Sequence, residues 1–107
     1  MLERFKVPKE DEIRIPEHSL RETVTAIFEK LGVSRQAAGK AADVLVMADL
    51  RGVDSHGSSN RLRGYVQQYS EGTLNPTPHW RTVRESPATA TIDGDRGLGI
   101  ILGHDAM

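Results

Sequence analysis

Residues Asp54-Ser55-His56-Gly57-Ser58 place an imidazole, two hydroxyls and a carboxylate within five positions. An imidazole titrates at about pH 6.5, so it exchanges protons under neutral conditions. Held in one tautomer and one orientation, it acts as a general acid or base. A neighbouring hydroxyl, or a carboxylate from elsewhere in the fold, can do the holding. The same residue types have a second use: Asp54 or Ser55 can cap a following helix by accepting from its free backbone amides. Spacing alone favours that cap. Adjacency does not make Ser55 and His56 a nucleophile–base pair, because triad logic concerns contact in space.

Arg51, Arg61 and Arg63 flank this stretch. A guanidinium fork grips a carboxylate at two points, so one of them could orient an acid substrate. The competing reading is a solvated basic face. Asp49, Asp54 and His56 are too sparse a set for a metal centre. His18, His79 and His104 are isolated and read as structural or exposed. Gly94-x-x-Gly97-x-Gly99 departs from the Gly-x-Gly-x-x-Gly dinucleotide fingerprint, and the acidic residue expected about 20 positions on is missing. A tight turn that seats a helix close to a strand accounts for it better.

The elements around these residues follow from periodicity. Pro16 suits the first turn of a helix, and Leu20, Val24, Ile27, Phe28 and Leu31 recur at helical spacing up to Gly32. Ser34 is placed to cap a second helix. Its stripe is Ala37, Ala41, Val44, Leu45 and Ala48, and Gly52 stops it. Small residues early in that stripe let another helix approach closely. A third helix starts near Ser58 or Ser59, carries Leu62, Tyr65, Val66 and Tyr69, and ends at Gly72. The Asp54-to-Gly57 turn thus falls between two helices.

Residues 1–15 are polar, with alternations at Phe5/Val7 and Ile13/Ile15 that point to an extended arm with some strand character. Asn75-Pro76-Thr77-Pro78 is a cluster of breakers and the best boundary. Beyond it, His79–Arg84 and Ala88–Asp93 read as two strands, followed by a turn at Asp93–Gly97 and the opening of a helix. The expected organisation is an arm over 1–15, a helical domain over 16–75 and the start of an α/β domain over 76–107. The fold class is α/β, α+β within these residues. The apolar run Gly97–Met107 ends without cap, breaker or polar tail. An apolar element needs a partner, so the chain is expected to be the N-terminal piece of a longer protein.

Composition narrows the function classes. Of the 107 residues, 37% are hydrophobic and 27% charged, which is ordinary for a globular domain. Fourteen basic and fifteen acidic residues leave a net charge of -1, so no footprint for nucleic acid or an anionic membrane follows. Without cysteine there is no disulfide framework, zinc–thiolate site or thiol nucleophile. No apolar run nears the roughly 18 residues of a membrane span, and the first residues are too polar for a secretory signal. A cytoplasmic location is the default.

The run Ala48-Asp49-Leu50-Arg51-Gly52-Val53-Asp54-Ser55-His56-Gly57 resembles the signature of the malate/L-lactate dehydrogenase family, the non-Rossmann NAD(P)-dependent oxidoreductases of 2-hydroxy acids and ketimines. The resemblance continues through Gly72–Pro76, Val83–Ala90, Ile92–Gly99 and Ala106-Met107. It spans residues 16–107 and about the first third of a family member. It implies an N-terminal helical domain followed by a larger α/β domain that binds NAD or NADP mainly through residues beyond this chain. It implies a small 2-hydroxy or 2-oxo acid as substrate, with malate, lactate, sulfolactate, ureidoglycolate or cyclic imino acids in the family's range, and a homo-oligomer, commonly a homodimer.

By the same resemblance Ser55 and His56 match the family's active-site pair. The aspartate of its relay, and another family histidine, would lie beyond Met107. Many members carry arginine four residues after the histidine. Asn60 stands there in this chain, with Arg61 next and Arg63 at the seventh position. Asn60, Arg61 or Arg63 is therefore the candidate anchor for the acid group, with His56 exchanging the proton or polarising the C2 oxygen and Ser55 orienting the ring. The rival reading is a non-catalytic helical interaction domain or an inactive fragment, and the 107 residues alone are expected to be inactive.

Overall fold

A computed structural model describes residues 3–107, apart from the side chain of Phe5. Met1, Leu2 and the Phe5 half of the first alternation lie outside the described residues. The rest of the first segment differs from the strand-like expectation. Two 3-10 turns, Glu3–Phe5 and Lys9–Asp11, occupy it, and Val7, Ile13 and Ile15 stay exposed. Extended backbone needs a neighbouring strand to satisfy its amides, and none reaches it among the described residues.

Helix α1 covers Glu17–Lys30 and α2 covers Arg35–Leu50. The Pro16 carbonyl accepts the first helical bond, from Leu20 N–H at 3.1 Å, so the proline flanks α1 rather than lying inside it. Gly32, at φ +95°, ends the helix. Its N–H donates to Glu29 O and Val33 N–H donates to Phe28 O, the paired bonds of a Schellman stop. Val33 and Phe28 are both buried, which supplies the apolar contact that goes with this stop. The ends of α2 and of α3 (Ser58–Ser70) repeat the arrangement at Gly52 and Gly72. The Ser34 hydroxyl accepts from Ala37 N–H at 3.2 Å and opens α2.

Val24 and Phe28 of α1 pack with Ala38, Ala41, Ala42 and Leu45 of α2 in one apolar cluster. Alanines at the contact leave room for the two helices to close on each other. Arg21 reinforces the pair from the rim, donating to Glu17 at 2.9 Å and to Asp43 at 2.6 Å. Those bonds, to Glu17 first and Asp43 second, hold its guanidinium pKa above the usual value.

The buried stripe of α2 is wider than the periodicity indicated. Ala38, Ala42 and Val46 are buried, while Ala37, Val44 and Ala48 are only half-buried. The reason is that α2 is central. It meets α1, α3 and a final helix α4, Gly99–Ala106, so its apolar arc turns towards several neighbours. Leu98 is buried in the same cluster, with Ile100 and Ile101 against it, and Lys40 of α2 pairs with Asp105 of α4. Helix α3 is attached more loosely. Tyr69 is buried and stands edge-on to Phe28, with ring centroids 6.2 Å apart, whereas Leu62 and Val66 are half-buried.

Strands β1 (Arg81–Glu85) and β2 (Ala90–Asp93) pair antiparallel, with an irregularity between Thr82 and Arg84. The turn between them is closed by Ser86 N–H to Thr89 O at 2.8 Å. Every residue of β1 is exposed. The hairpin is tied back at its base by Asp95 and Arg96, which hold φ values of 53° and 59°. Asn75 N–H donates to Arg96 O at 2.9 Å, and His79 N–H to the Asp95 carboxylate at 2.9 Å.

Burial raises the Tyr69 phenol above its ordinary pKa of 10.0. The folded chain therefore keeps this proton at pH values where the unfolded chain has released it. Stability from this group is complete below about pH 10 and is lost as pH rises through the folded value. Urea midpoints recorded from pH 9 upwards should fall more steeply for the parent than for Tyr69→Phe. Parallel curves would remove Tyr69 from the alkaline transition.

Candidate functional site

The turn between α2 and α3 is a single 3-10 turn, Asp54–His56. His56 N–H donates to Val53 O at 3.1 Å and Gly57 N–H to Asp54 O at 3.3 Å. The Asn60 side-chain amide also donates to Asp54 O, at 2.7 Å. Two donors on one carbonyl fix the turn from the α3 side. Helix α3 begins one residue after Gly57, which has no side chain to cap it.

Neither Asp54 nor Ser55 supplies the missing cap. Asp49 does so from α2: its Oδ2 accepts from Ser58 N–H at 3.1 Å and from Ser58 Oγ at 2.5 Å. Gly57 is buried, and a Cβ on it would overlap the Asp49 carboxylate. Sequence reasoning placed Asp49 only in a weak metal set. The available signal was a glycine at the N-cap, which has to borrow an acceptor from somewhere.

Ser55 Oγ lies 2.8 Å from His56 Nδ1. The two adjacent side chains do meet, with Ser55 half-buried and His56 exposed. If Nδ1 carries the proton it donates to Oγ, and Nε2 is left with a free lone pair. If Oγ donates instead, Nε2 carries the proton. Either tautomer is oriented by the same contact, and the pair can serve as acceptor or donor for a group at Nε2. Among the described residues no carboxylate pairs with this ring.

Asn60 spends its amide N–H groups within the turn, one bond going to Asp54 O and a longer one, 3.5 Å, to Ser59 Oγ. The guanidinium groups of Arg61 and Arg63 are exposed on α3 and make no hydrogen bond or ion pair to Ser55, His56 or any other described residue. Arg51 is exposed beyond the end of α2. A hollow of about 970 Å³ lies between the first segment and helices α1, α2 and α3. It is lined by Ile15, Leu20, Ile27, Leu50 and Leu62 with Asp49 and Ser58 at one wall, and it includes neither Ser55 nor His56. It is a mainly apolar groove beside the turn. No group of three or more histidine or acidic side chains among the described residues is arranged to hold a metal.

Two of the three glycines of the Asp93–Gly99 stretch, Gly94 and Gly97, face protein, whereas Gly99 has open space beside it. A Cβ at Gly94 would come within 2.7 Å of Leu102, and one at Gly97 within 2.8 Å of Pro78. Gly94 and Gly97 permit close packing of the turn against its neighbours.

The model of the malate/L-lactate dehydrogenase family matches residues 15–107. The chain belongs to that family. It is 46% identical over 98 residues to malate dehydrogenase of Pyrococcus horikoshii, covering 92% of this chain and 27% of that protein. It is 44% identical over 87 residues to L-sulfolactate dehydrogenase of Methanocaldococcus jannaschii, covering 81% of this chain and 25% of the relative. The solved structure of the P. horikoshii malate dehydrogenase superposes with a TM-score of 0.82 over 87% of this chain and 26% of its own. The chain thus spans about a quarter of the length of these family members. The four helices, the hairpin and the Asp54–His56 turn all fall within the span that the family model matches.

Proposed function

We propose that these residues form the N-terminal part of a nicotinamide-dependent oxidoreductase acting on a small 2-hydroxy acid such as malate or lactate. The observation that carries the reading is the 2.8 Å Ser55–His56 contact on a turn fixed from both flanking helices. It stands in a chain whose family includes malate and sulfolactate dehydrogenases. NAD or NADP would supply the hydride acceptor. Gly94 and Gly97 are packed against Leu102 and Pro78 and the Gly-x-Gly-x-x-Gly spacing is absent, so binding of that cofactor is assigned mainly to residues beyond this chain. The division proposed is an arm over 1–15, a helical domain over 16–75 and the opening of the second domain over 76–107. A cytoplasmic homodimer is the proposed setting.

In the oxidising direction the neutral His56 ring donates Nδ1–H to Ser55 Oγ and accepts the alcohol proton at Nε2. In the reducing direction the imidazolium returns that proton to the C2 oxygen. Ser55 keeps the ring oriented in both. Asn60 is one of three candidates for the acid group, with Arg61 and Arg63. With its amide engaged at Asp54 O, it is assigned to support of the turn, and the carboxylate falls to Arg61 or Arg63.

Turnover of a panel of 2-oxo acids by the full-length enzyme, followed at the nicotinamide absorbance with NADH and NADPH, tests the reading; no turnover on any of them would end it. The arginines sharpen the test. Successive helical residues diverge by about 100°, so Arg61 and Arg63 point roughly 200° apart. Only one of them should grip the substrate. Replacing that one by alanine should raise KM about 10–100-fold, the worth of a charge-assisted bond, with kcat little changed. The other should be silent. Two silent variants would move the anchor elsewhere.

A further inference from the structure

Asp49 lies in the last turn of α2, yet its carboxylate is spent on the residues that follow His56. It accepts both donors of Ser58, and it occupies the space where a side chain on Gly57 would stand. On the other side of the imidazole, Asn60 and Gly57 N–H hold the Asp54 carbonyl. The backbone of His56 is therefore clamped between two anchor points, of which only Asp49 reaches across from another helix.

We propose that Asp49 is a positioning residue for proton exchange at His56. Its carboxylate fixes Gly57 and Ser58 against α2 and so fixes the turn on which the ring meets Ser55 Oγ. The inference rests on the acid–base reading of His56. A carboxylate at a helix N-terminus is held by charge-assisted bonds and by the helix dipole, so the anchor is stiff. Without it the turn gains freedom, and the ring spreads over orientations that no longer meet the substrate oxygen. A misplacement of about 1 Å at a reacting group costs on the order of 10²-fold in rate.

The experiment measures kcat and KM of the full-length enzyme for Asp49→Ala and Asp49→Asn, each in the parent and in a His56→Ala background. Asp49→Ala should lower kcat on the order of 10²-fold in the parent and have no further effect once His56 is gone. Asp49→Asn should recover most of the rate, since its amide oxygen can take the Oδ2 position and accept from both Ser58 N–H and Ser58 Oγ. Should Asp49→Ala fail to fold, Ser58→Ala removes one of the two donors and should give a smaller kcat loss, again only where His56 is present. In ¹⁵N spectra of the imidazole, Asp49→Ala should move the His56 Nδ1 signal. Equal fold-losses in both backgrounds, or unmoved ring signals, would overturn this inference alone. A silent His56→Ala would overturn it together with the acid–base reading.

Discussion

His56→Ala is expected to lower kcat of the full-length enzyme by about 10²–10⁴-fold, the usual worth of a general acid–base group. The ring is exposed, and its Nδ1 is 2.8 Å from Ser55 Oγ, so Nε2 is the nitrogen open to a substrate. No described carboxylate shares the ring, which leaves its orientation to the hydroxyl and to the backbone of the turn. Ser55→Ala should therefore reduce kcat less than loss of the ring itself. The profile of kcat against pH should lose one limb in His56→Ala and keep both in Ser55→Ala. If kcat were unchanged in a folded His56→Ala protein, the proton chemistry would belong to residues outside this chain, and the imidazole would be a surface feature of the turn.

Leu45→Ala is expected to destabilise the 107-residue chain by about 2–5 kcal/mol. Leu45 is 1% exposed and packs in the cluster that contains Val24, Phe28, Ala41 and Tyr69. Deleting its branched end leaves a cavity in a cluster where α2 otherwise contributes alanines, Ala38, Ala41 and Ala42. Those small neighbours cannot extend into the space, so the upper part of the range applies unless the helices close. Urea unfolding followed by circular dichroism should show a lower midpoint at an unchanged m value. A loss below about 1 kcal/mol would mean that α1 and α2 slide together to fill the gap. A changed m value would mean that α3 or α4 had already come away.

Local chemistry made much of this chain legible. Helical spacing at Leu20–Leu31, the Ser34 hydroxyl, and glycines at 32, 52 and 72 mark three helices, because caps and left-handed stops depend only on neighbouring backbone. The motifs from Ala48 to Gly57 and onward carried the family, which the match over residues 15–107 shows. The site was legible only as a set of residue types. That Ser55 and His56 touch depends on the dihedral angles of one 3-10 turn, which composition does not specify. That Asp49 rather than Asp54 or Ser55 caps α3 depends on how α2 and α3 cross, nine residues bridging two helices. The wide apolar arc of α2 and the burial of Leu98 in the same cluster depend on a contact between segments far apart in the chain. Periodicity reports the face that an element offers to its surroundings. Which neighbours gather on that face, and which carboxylate reaches a free amide, is decided by tertiary packing, where the long-range contacts are made.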